Sequence, residues 1–551
     1  MKELMVRFLT GVKKNQNWLI FGLTRLSHCK EKVVKTRLDI KPVLGILVRK
    51  SCLIILMAVL LRFVNLGAKP FHHDESILGY FSWILFKDGA YQYHPLSHGP
   101  LLYYLTALSY KLFSVFDASA RVMPALFGGG LVGLLYLLRP YLRLKTVYLL
   151  MVLAATSPLL VYVSRFARPD MINLFFTLLL IVSTLNYVTW QRPAWIYGVL
   201  ISLAFSYTNH ELTYITTGIW LLSLVGLLLS LDRQKRRALL LALHRDRWHL
   251  GLALTISLLV MSLLFSSFGR FPEGLSRALP NPNDQNSALG YWITQHGVQR
   301  GSQPIYYYLL LLPLYEIIIF ILGTIGMIRG IFSRSALWRF ISIWALLSLT
   351  IYSIAGERMP WLTVHTLLPL LLTTGFLIDH YWPKVREKPR IVAVGVFALT
   401  LMMTTYNMYR LSFINPSNPI ELAVYVQTQP IVKETAEKLT SANPRPTITL
   451  GPDLSWPLTW YLRDAPQNYT AHLSTPPTDW AIYSTNEAEA NQAAKYYQTA
   501  RRLPFRSWWI PKESWPGITP LLRYYFFRQT WSELGSYDLL LFSQPLTGNR
   551  P

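Results

Sequence analysis

Two imidazoles and two carboxylates stand side by side where the first long apolar run of the chain ends, in His72, His73, Asp74 and Glu75. A carboxylate of this kind can take a proton from an attacking hydroxyl group, and imidazoles and carboxylates are ligands of divalent metals. Such clusters are costly to gather without a ligand, so this segment is the strongest candidate for a reactive site. The alternative for Asp74 is the N-cap of the helix that follows.

The composition is typical of a membrane protein. Hydrophobic residues make up 52% of the 551 residues, charged residues make up 15%, and the mean hydropathy is +0.29. Soluble domains carry about 25% charged residues. Long apolar runs separated by short polar joints predict membrane-spanning helices, because a bilayer core is crossed by ~20 helical residues. The two cysteines, Cys29 and Cys52, define neither a disulfide framework nor a metal site.

The net charge of +25 does not indicate a nucleic-acid partner. The Lys and Arg residues cluster in short joints between apolar runs, where they set the orientation of the spans. Segment 1–50 carries twelve Lys and Arg against three acidic residues, which predicts a cytoplasmic N-terminus without a removable signal peptide. We predict eleven spans: Cys52–Leu66, Val122–Leu138, Val147–Val163, Met171–Trp190, Trp195–Tyr207, Tyr214–Leu231, Leu250–Phe268, Ile305–Ile328, Trp338–Ile354, Leu362–Trp382 and Ile391–Met408.

Segment 67–120 contains two amphipathic stretches, Ile77–Phe86 and Leu101–Phe116, that are rich in aromatic residues. We predict outer juxtamembrane helices here, because such helices lie in the membrane interface. A true span in this segment would reverse the later orientation and turn the strongly basic run Arg233–Arg237 outwards. With eleven spans, that run is cytoplasmic and the C-terminus is outside.

The composition changes after residue 409. Residues 410–551 are polar and have no spanning run, so we divide the chain into a basic cytoplasmic segment 1–50, a transmembrane domain 51–409 and an extracytoplasmic domain 410–551. The last domain is predicted to be α/β, with alternating strands and helices. Its expected strands are Thr447–Leu450, Trp480–Tyr483 and Tyr537–Phe542, and its expected helices are Ile420–Leu439, Trp456–Leu462, Ala488–Ala500 and Ile518–Gln529.

Further reactive groups fall in the other outward-facing joints. Their chemistry is that of phosphate, metal or sugar binding, since arginine donates two parallel hydrogen bonds to a phosphate. The alternatives are a turn, a polar hairpin joint and a mutual ion pair between Glu357 and Arg358. The candidates beyond the first cluster are His98, Arg165, Arg168, Asp170, His210, Glu211, Glu357, Arg358 and His365.

The ordered set of these motifs resembles the GT-C superfamily of glycosyltransferases. The resemblance lies in His72-His73-Asp74-Glu75, His98-Gly99-Pro100, Ser164–Asp170, Gly356–His365 and Trp456–Asp464. Within the superfamily the chain resembles the protein O-mannosyltransferase and aminoarabinose-lipid-A transferase branch. It is most similar to a group of mannosyltransferase-like membrane proteins described as flippase-activity-associated.

This resemblance implies an inverting sugar transfer from a polyprenyl-phosphate donor at the outer face of the plasma or inner membrane. Asp74 would be the catalytic base, with Glu75 and Asp170 as further catalytic carboxylates. Arg165, Arg168 and Arg358 would hold the donor phosphate. The substrate-binding candidates are His72, His73, His98, His210, Glu211, Glu357 and His365.

The resemblance admits one cofactor, a divalent metal such as Mg²⁺ or Mn²⁺ held by Asp74 and Asp170. The acceptor would be a glycan, a lipid or a protein, and membrane lipids surround the spans. A stabilised polyprenyl phosphate anion would leave, so no nucleotide site is needed, and the chain carries no glycine-rich phosphate loop. The alternative function is a lipid or glycolipid flippase, or a flippase-associated protein without catalysis.

Overall fold

The computed structural model describes residues 40–296, 303–469, 477–486, 488–511 and 516–545. Most of the predicted cytoplasmic segment, residues 1–39, lies outside this range, as does Cys29. The helices up to residue 296 are α1 Ile40–Phe63, α2 His73–Asp88, α3 Leu101–Phe113, α4 Asp117–Leu134, α5 Leu144–Thr156, α6 Pro158–Ser164, α7 Asp170–Trp190, α8 Ala194–Tyr207, α9 Thr213–Ser230, α10 Arg233–Arg245, α11 Arg247–Phe265, α12 Glu273–Ala278 and α13 Ala288–His296.

The remaining helices belong to the second half of the apolar region and to the C-terminal region, which also contains a sheet. They are α14 Tyr307–Tyr315, α15 Ile317–Ile331, α16 Ala336–Ile354, α17 Thr363–Tyr381, α18 Glu387–Tyr409, α19 Pro430–Ser441, α20 Ser455–Tyr461, α21 Ala488–Ala493 and α22 Ile518–Phe527. The strands are β1 Gln427–Thr428, β2 Ile448–Leu450, β3 Gln467–Tyr469, β4 Trp480–Ser484, β5 Tyr497–Trp508 and β6 Gly535–Pro545.

Within the described residues, seven helices are long and apolar enough to cross a membrane. The number rises to nine if the bent pairs α5–α6 and α14–α15 each count as one span. These nine correspond to nine of the eleven predicted spans. The other two predicted spans correspond to α1 and α8. α1 is not among the seven to nine candidates, and α8 has 14 residues and is shorter than a full crossing. The protein is therefore a helical membrane protein with seven to nine candidate spans.

The two bent pairs meet at one buried carboxylate. Glu316 lies at the 119° bend between α14 and α15. Its Oε1 accepts hydrogen bonds from the Ser157 hydroxyl at 2.5 Å and from the Leu159 amide at 3.0 Å, at the start of α6. These bonds satisfy backbone and hydroxyl groups that the breaks in the helices leave without helical partners.

The predicted juxtamembrane segment does contain two helices, α2 and α3, and they pack against each other. α3 and α4 pack together as well, and α20 from the C-terminal region packs on α2. Asp117, the first residue of α4, accepts hydrogen bonds from the Trp460 indole at 2.9 Å and the Tyr461 hydroxyl at 3.0 Å. The C-terminal region is thereby fixed to the helices that carry the first candidate cluster.

The C-terminal region forms one six-stranded sheet in the order β1-β5-β6-β4-β2-β3. β2 pairs in parallel with β3 and β4, and the other pairs are antiparallel. The three expected strands are present, near β2, β4 and β6. Two helical expectations were wrong in part: Ile420–Leu439 is helical only from Pro430, and Ala488–Ala500 is helical only to Ala493, because β5 begins at Tyr497.

Candidate active site

A cavity of about 1290 Å³ lies where α2, the joints around residues 98 and 210, and the C-terminal sheet meet. Its wall is largely apolar and aromatic, with a few converging polar groups, which is the usual make-up of a small-molecule site. Of the thirteen residues predicted from the sequence, eight line it: His72, His73, Asp74, His98, Arg168, His210, Glu211 and Glu357. The other five, Glu75, Arg165, Asp170, Arg358 and His365, are not in its wall.

Asp74 lies in the first turn of α2 and is not its N-cap. The cap is His72, whose Nδ1 accepts a hydrogen bond from the Asp74 amide at 3.1 Å. The Asp74 carboxylate, with 34% of the side chain exposed, accepts a hydrogen bond from Nη1 of Arg168. A negative charge is favoured at a helix N-terminus, so this position stabilises the Asp74 carboxylate although its side chain is not the helix cap. Asp74 lies in the cavity wall, where a substrate can reach it.

Glu75 is fully buried and faces away from the cavity. Arg121 donates to both of its oxygens, Nε to Oε1 at 2.7 Å and Nη2 to Oε2 at 2.8 Å. The amides of His72 and Ala167 donate to the same carboxylate at 3.0 and 2.8 Å. Every oxygen of Glu75 is therefore occupied, and its geometry is that of a brace between the start of α2, α4 and the joint before α7.

Arg168 bridges two predicted catalytic carboxylates. It donates to Asp74 from Nη1 and to Oδ2 of Asp170 from Nε, the latter at 3.1 Å. The guanidinium lies over the Trp361 ring, 4.2 Å from its centre. A cation already stands between Asp74 and Asp170, so this arrangement disfavours a metal ion held by the pair.

Asp170 is completely buried, one layer behind the cavity wall. Its Oδ1 has no hydrogen-bond partner among the described residues, and it faces Nε2 of His365 at 3.7 Å and Nε2 of His210 at 4.0 Å. Both ring nitrogens are likewise buried without a hydrogen bond. Side chains from α17 and the joint at residue 210 thus converge on Asp170, which in turn binds Arg168, the group that contacts Asp74.

His98, His210 and Glu211 form a second cluster on the cavity wall. The His98 Nδ1 lies 3.0 Å from Oε2 of Glu211, and the His98 and His210 rings are 4.5 Å apart between centres. His98 has φ +63° and ψ −172°, a backbone conformation that costs ~1–3 kcal/mol in residues other than glycine and concentrates at functional sites. Trp292 stacks on His98 with 5.3 Å between ring centres.

Glycine at position 99 is what lets this cluster assemble. The Gly99 amide donates to the Asn209 carbonyl at 3.2 Å, and the Leu101 amide donates to the Thr208 carbonyl at 2.8 Å. A Cβ at position 99 would lie 2.3 Å from the Thr208 carbonyl oxygen. The absence of a side chain at position 99 therefore permits a close backbone approach that brings two distant joints of the chain together.

These three residues fit a divalent metal ion. One donor atom from each of His98, His210 and Glu211 can be chosen so that all lie within 4.8 Å of one another. Two imidazoles and one carboxylate match a three-ligand zinc site with an open position, and imidazole is less suited to Mg²⁺ or Mn²⁺. Of the two ring nitrogens of His210, Nδ1 lies 3.6 Å from Oε2 of Glu211 and faces the cluster, whereas Nε2 faces Asp170.

Two predicted phosphate-binding arginines are occupied with backbone carbonyl groups. Arg165 donates to the carbonyls of Arg62, Val64 and Asn65 near the end of α1, at 3.1, 2.6 and 3.0 Å. Arg358 donates to the carbonyls of Gln303 and Ala355 at 2.7 and 2.6 Å. Both guanidinium groups close the ends of apolar helices or their joints, where carbonyl groups lack helical partners.

The sequence did not identify Arg506 and Trp456 as site residues, although both line the cavity from the C-terminal region. Nη2 of Arg506 lies 3.2 Å from Nδ1 of His73 and also donates to the Trp456 carbonyl. More than 400 positions separate Arg506 from His73 in the chain, and no local motif marks it. The signal that was present, an arginine within an aromatic stretch of a sheet domain, is too common to single it out.

The histidines at the start of α2 are neutral at physiological pH. Burial, reinforced by neighbouring positive charges, lowers the pKa of His72 well below its usual range. Burial and the Arg506 guanidinium lower the pKa of His73 to about 4. His98 differs: burial acts against its charged form, but the hydrogen bond and charge of Glu211 outweigh it and raise the pKa of His98.

Comparisons with known proteins show which fold the chain has. Residues 97–265 match the family model described as dolichyl-phosphate-mannose-protein mannosyltransferase. No curated protein sequence matches the chain. The structure is similar to that of ArnT from Cupriavidus metallidurans bound to undecaprenyl phosphate, with TM-score 0.59 and 17% identity over 80% of this chain and 94% of that one.

It is also similar to the oligosaccharyltransferase of Archaeoglobus fulgidus. The structure of that protein, AglB, in complex with an inhibitory peptide and a dolichol-phosphate aligns with TM-score 0.50 and 12% identity over 83% of this chain and 73% of that one. Its complex with Zn and sulfate aligns with TM-score 0.50 and 11% identity over 79% and 68%. The chain shares the fold of these two membrane proteins, which is the GT-C fold expected from the sequence.

Proposed function

We propose that this protein, a membrane protein of GT-C fold, is a glycosyltransferase that moves a sugar from a polyprenyl-phosphate donor to an acceptor. The observation that carries the proposal is the position of Asp74, a half-buried carboxylate at a helix N-terminus in the wall of a 1290 Å³ cavity. Two GT-C structures similar to this one hold undecaprenyl phosphate and dolichol-phosphate, which supports a lipid-linked donor.

In the proposed reaction, Asp74 is the general base. The acceptor hydroxyl attacks the anomeric carbon, its proton passes to the Asp74 carboxylate, and the bond between that carbon and the phosphate oxygen breaks. The polyprenyl phosphate leaves as an anion. Attack from the face opposite the leaving group inverts the anomeric centre, and a general base of this kind contributes ~10²–10⁴ in rate.

Arg168 and the groups behind it position the base. Arg168 is clamped by Asp74 and Asp170, so its own charge is compensated and it fixes the direction of the Asp74 carboxylate. We assign Asp170 and His365 to holding Arg168, and Glu75 to bracing the start of α2. His72, Glu357 and the aromatic groups of the cavity wall are then the substrate-binding groups.

A divalent metal, when bound, would supply a positive charge at the cavity wall. The residues that would hold it are His98, His210 and Glu211. Purified protein dialysed against Zn²⁺ is expected to retain about one ion per chain by elemental analysis. The double variant His98→Ala/His210→Ala is expected to lose that ion, because a single carboxylate remains.

The matched control for the metal is His249→Ala. His249 is exposed, its ring contacts Tyr197, and it does not belong to the cluster of His98, His210 and Glu211. This variant should retain the ion and show the same rise in unfolding temperature on adding Zn²⁺ as the parent protein. Equal zinc content in the double variant and the parent would reject the site.

We also propose that the cavity opens at the outer face of the plasma or inner membrane, with eleven spans, a cytoplasmic N-terminus and the sheet domain outside. The division into segments 1–50, 51–409 and 410–551 belongs to this proposal. Its support is the basic run Arg233–Arg237 at the start of α10. Alkaline phosphatase fused after residue 545 should be active and a fusion after residue 237 inactive; the opposite pattern would reverse the orientation.

The reaction itself is tested with full-length protein in lipid nanodiscs. A panel of polyprenyl-phosphate-linked hexoses and pentoses is offered with glycan, lipid and peptide acceptors, and free polyprenyl phosphate is measured. One donor is expected to turn over, while the corresponding nucleotide sugars are not consumed. Folded protein that releases no polyprenyl phosphate from any donor would contradict the proposal.

One observation favours the alternative function, a lipid or glycolipid flippase or a flippase-associated protein without catalysis. Glu316 is a buried carboxylate within a bent candidate span, and ionisable groups inside spans mark transport pathways. Its Oε1 is, however, bound by Ser157 and Leu159, and it does not line the cavity. Movement of a fluorescent polyprenyl phosphate across vesicles without any sugar transfer would establish this alternative.

A further inference from the structure

The charge of Arg506 has no acidic partner in the part of the chain that the structure describes. Within the described part of the chain, no carboxylate forms an ion pair with Arg506, whereas Arg168, the other arginine near Asp74, has two. Arg506 is half-buried, and its Nε is fully buried without a hydrogen bond. A partly desolvated charge that lacks a counter-ion is costly, and an anion bound from the cavity would remove that cost.

The local fold aims Arg506 at the cavity. β5 and β6 are out of register between Pro504 and Arg506, where a bulge interrupts the pairing with Asp538 and Tyr537. Bulges redirect side chains and are frequent beside binding sites. Arg506 leaves the sheet just after this irregularity and reaches the carbonyl of Trp456 and the ring of His73.

The hydrogen-bonding capacity left over suits a phosphate. Nη2 of Arg506 uses both of its N–H groups, on the Trp456 carbonyl and on His73, and Nε is buried. The two N–H groups of Nη1 make no hydrogen bond to described residues and are left as donors for a ligand. Nδ1 of His73 accepts from Arg506, so the neutral ring carries its proton on Nε2 and offers a third donor. The two N–H groups of Nη1 and the one N–H of His73 match the several acceptor oxygens of a phosphate better than a single carboxylate.

The position suits the leaving group of the proposed reaction. His73 precedes Asp74 in the first turn of α2, so an anion at Arg506 lies beside the base. Arg165 and Arg358 are occupied with backbone carbonyls, and Arg168 is neutralised by its two carboxylates. The cation beside Asp74 that still lacks a negative partner among the described residues comes from the sheet domain.

We propose that Arg506 and His73 form an anion subsite through which the C-terminal sheet domain holds the phosphate of a polyprenyl-phosphate substrate beside Asp74. The identity of this ligand rests on the proposed function. The sheet domain is then part of the substrate site and is not only an appendage of the membrane domain.

The test measures binding and not turnover. Full-length protein in nanodiscs is titrated with undecaprenyl phosphate, with undecaprenol, which lacks the phosphate, and with inorganic phosphate. Arg506→Gln is expected to weaken undecaprenyl phosphate binding at least ~10-fold and to leave undecaprenol binding unchanged, since hydrogen bonds to charged groups are among the stronger ones. Inorganic phosphate is expected to bind far more weakly than the lipid.

The matched control is Arg502→Gln on the same strand. Arg502 is 67% exposed at its side chain and pairs with Asp538 at 2.7 Å, so its loss should not change binding of any of the three probes. Arg506→Lys keeps the charge but lacks the planar fork, and it should bind undecaprenyl phosphate more weakly than the parent and more tightly than Arg506→Gln. Should Arg506→Gln fail to fold, the lysine variant carries the test: binding equal to the parent overturns the subsite.

Three results would overturn the proposal. Arg506→Gln could bind undecaprenyl phosphate as the parent does, or lose undecaprenol to the same extent, or inorganic phosphate could bind as tightly as the lipid in an Arg506-dependent way. The last result would make the ligand a free phosphate. The two proposals can fail separately. If lipid binding depends on the phosphate and on Arg506 but the protein transfers no sugar, the subsite is supported and the proposed function is rejected. If the protein transfers sugar and Arg506→Gln binds the lipid as the parent does, the proposed function is supported and the subsite is rejected.

Discussion

Replacing Asp74 by asparagine is expected to lower the rate of sugar transfer by ~10²–10⁴, the contribution of a general base. Asparagine has nearly the same shape and its side-chain oxygen can still accept a hydrogen bond from Arg168, so the fold and the cavity should persist. It cannot take a proton from the acceptor hydroxyl at neutral pH. The loss should therefore appear in kcat for sugar transfer, with binding of undecaprenyl phosphate within about threefold of the parent.

The control for this variant lies on the same helix. Asp88 is the last residue of α2 and is exposed, so Asp88→Asn removes an equal charge without touching the cavity. It should transfer sugar at the parent rate. Transfer by Asp74→Asn within tenfold of the parent would assign the proton acceptor to another group, and normal folding with lost lipid binding would make Asp74 a binding residue.

The start of α2 was predictable because the chemistry there is local. An acidic pair after two histidines at the end of an apolar run marks a helix start, and α2 begins at His73. The roles of the two acids were not predictable. Successive side chains on a helix point about 100° apart, so one of two adjacent carboxylates faces the cavity and the other faces the protein, and only packing decides which.

The joints at residues 98 and 210 show what sequence pattern cannot supply. Each was recognised as a polar joint with reactive groups, but their contact depends on backbone hydrogen bonds from Gly99 and Leu101 to Asn209 and Thr208. In the same way, β5 exists because its residues pair with β6 over most of its length, and its local composition favours helix as readily as strand. Arg506 lies on β5, and its position in the site depends on the pairing of β5 with β6. The sequence therefore did not indicate Arg506 as a site residue.

Removing the charge of Glu75 is expected to destabilise the protein strongly. Glu75→Gln leaves Arg121, which has no exposed surface, as a buried cation without its counter-ion. Breaking one partner of such a pair costs ~3–5 kcal/mol. The carbonyls of Leu66, Lys69 and Pro70 still bind Arg121 at 3.0, 2.8 and 3.3 Å, but they carry no net charge.

The measurement is the free energy of unfolding in mixed micelles, with Glu437→Gln as control. Glu437 is 62% exposed and lies 3.9 Å from Lys433, so its loss should change stability by less than ~1 kcal/mol. The double variant Glu75→Gln/Arg121→Met should be less unstable than the sum of the two single variants, because neither charge remains buried alone. Strict additivity would show that the two side chains do not act as a pair.

The same pair predicts how stability depends on pH. Burial alone would raise the pKa of Glu75, but the charges of Arg121 and Lys69 and the hydrogen bonds from Arg121 and the His72 amide outweigh it and lower the pKa. Since the unfolded chain has a glutamate pKa of ~4.3, ionised Glu75 stabilises the fold above that pH, and the contribution is lost as the pH falls through the lower folded value. Lys69, 3.9 Å from Glu75, has a pKa that burial lowers to about 7, so it also titrates above pH 5 and changes the stability difference there. The contribution of Glu75 is therefore measured below pH 5, where the stability difference between the parent and Glu75→Gln should shrink, most clearly below about pH 4. A stability difference that grows as the pH falls from 5 to 3 would mean that Glu75 is held protonated, and the brace at the start of α2 would then rest on hydrogen bonds and not on charge.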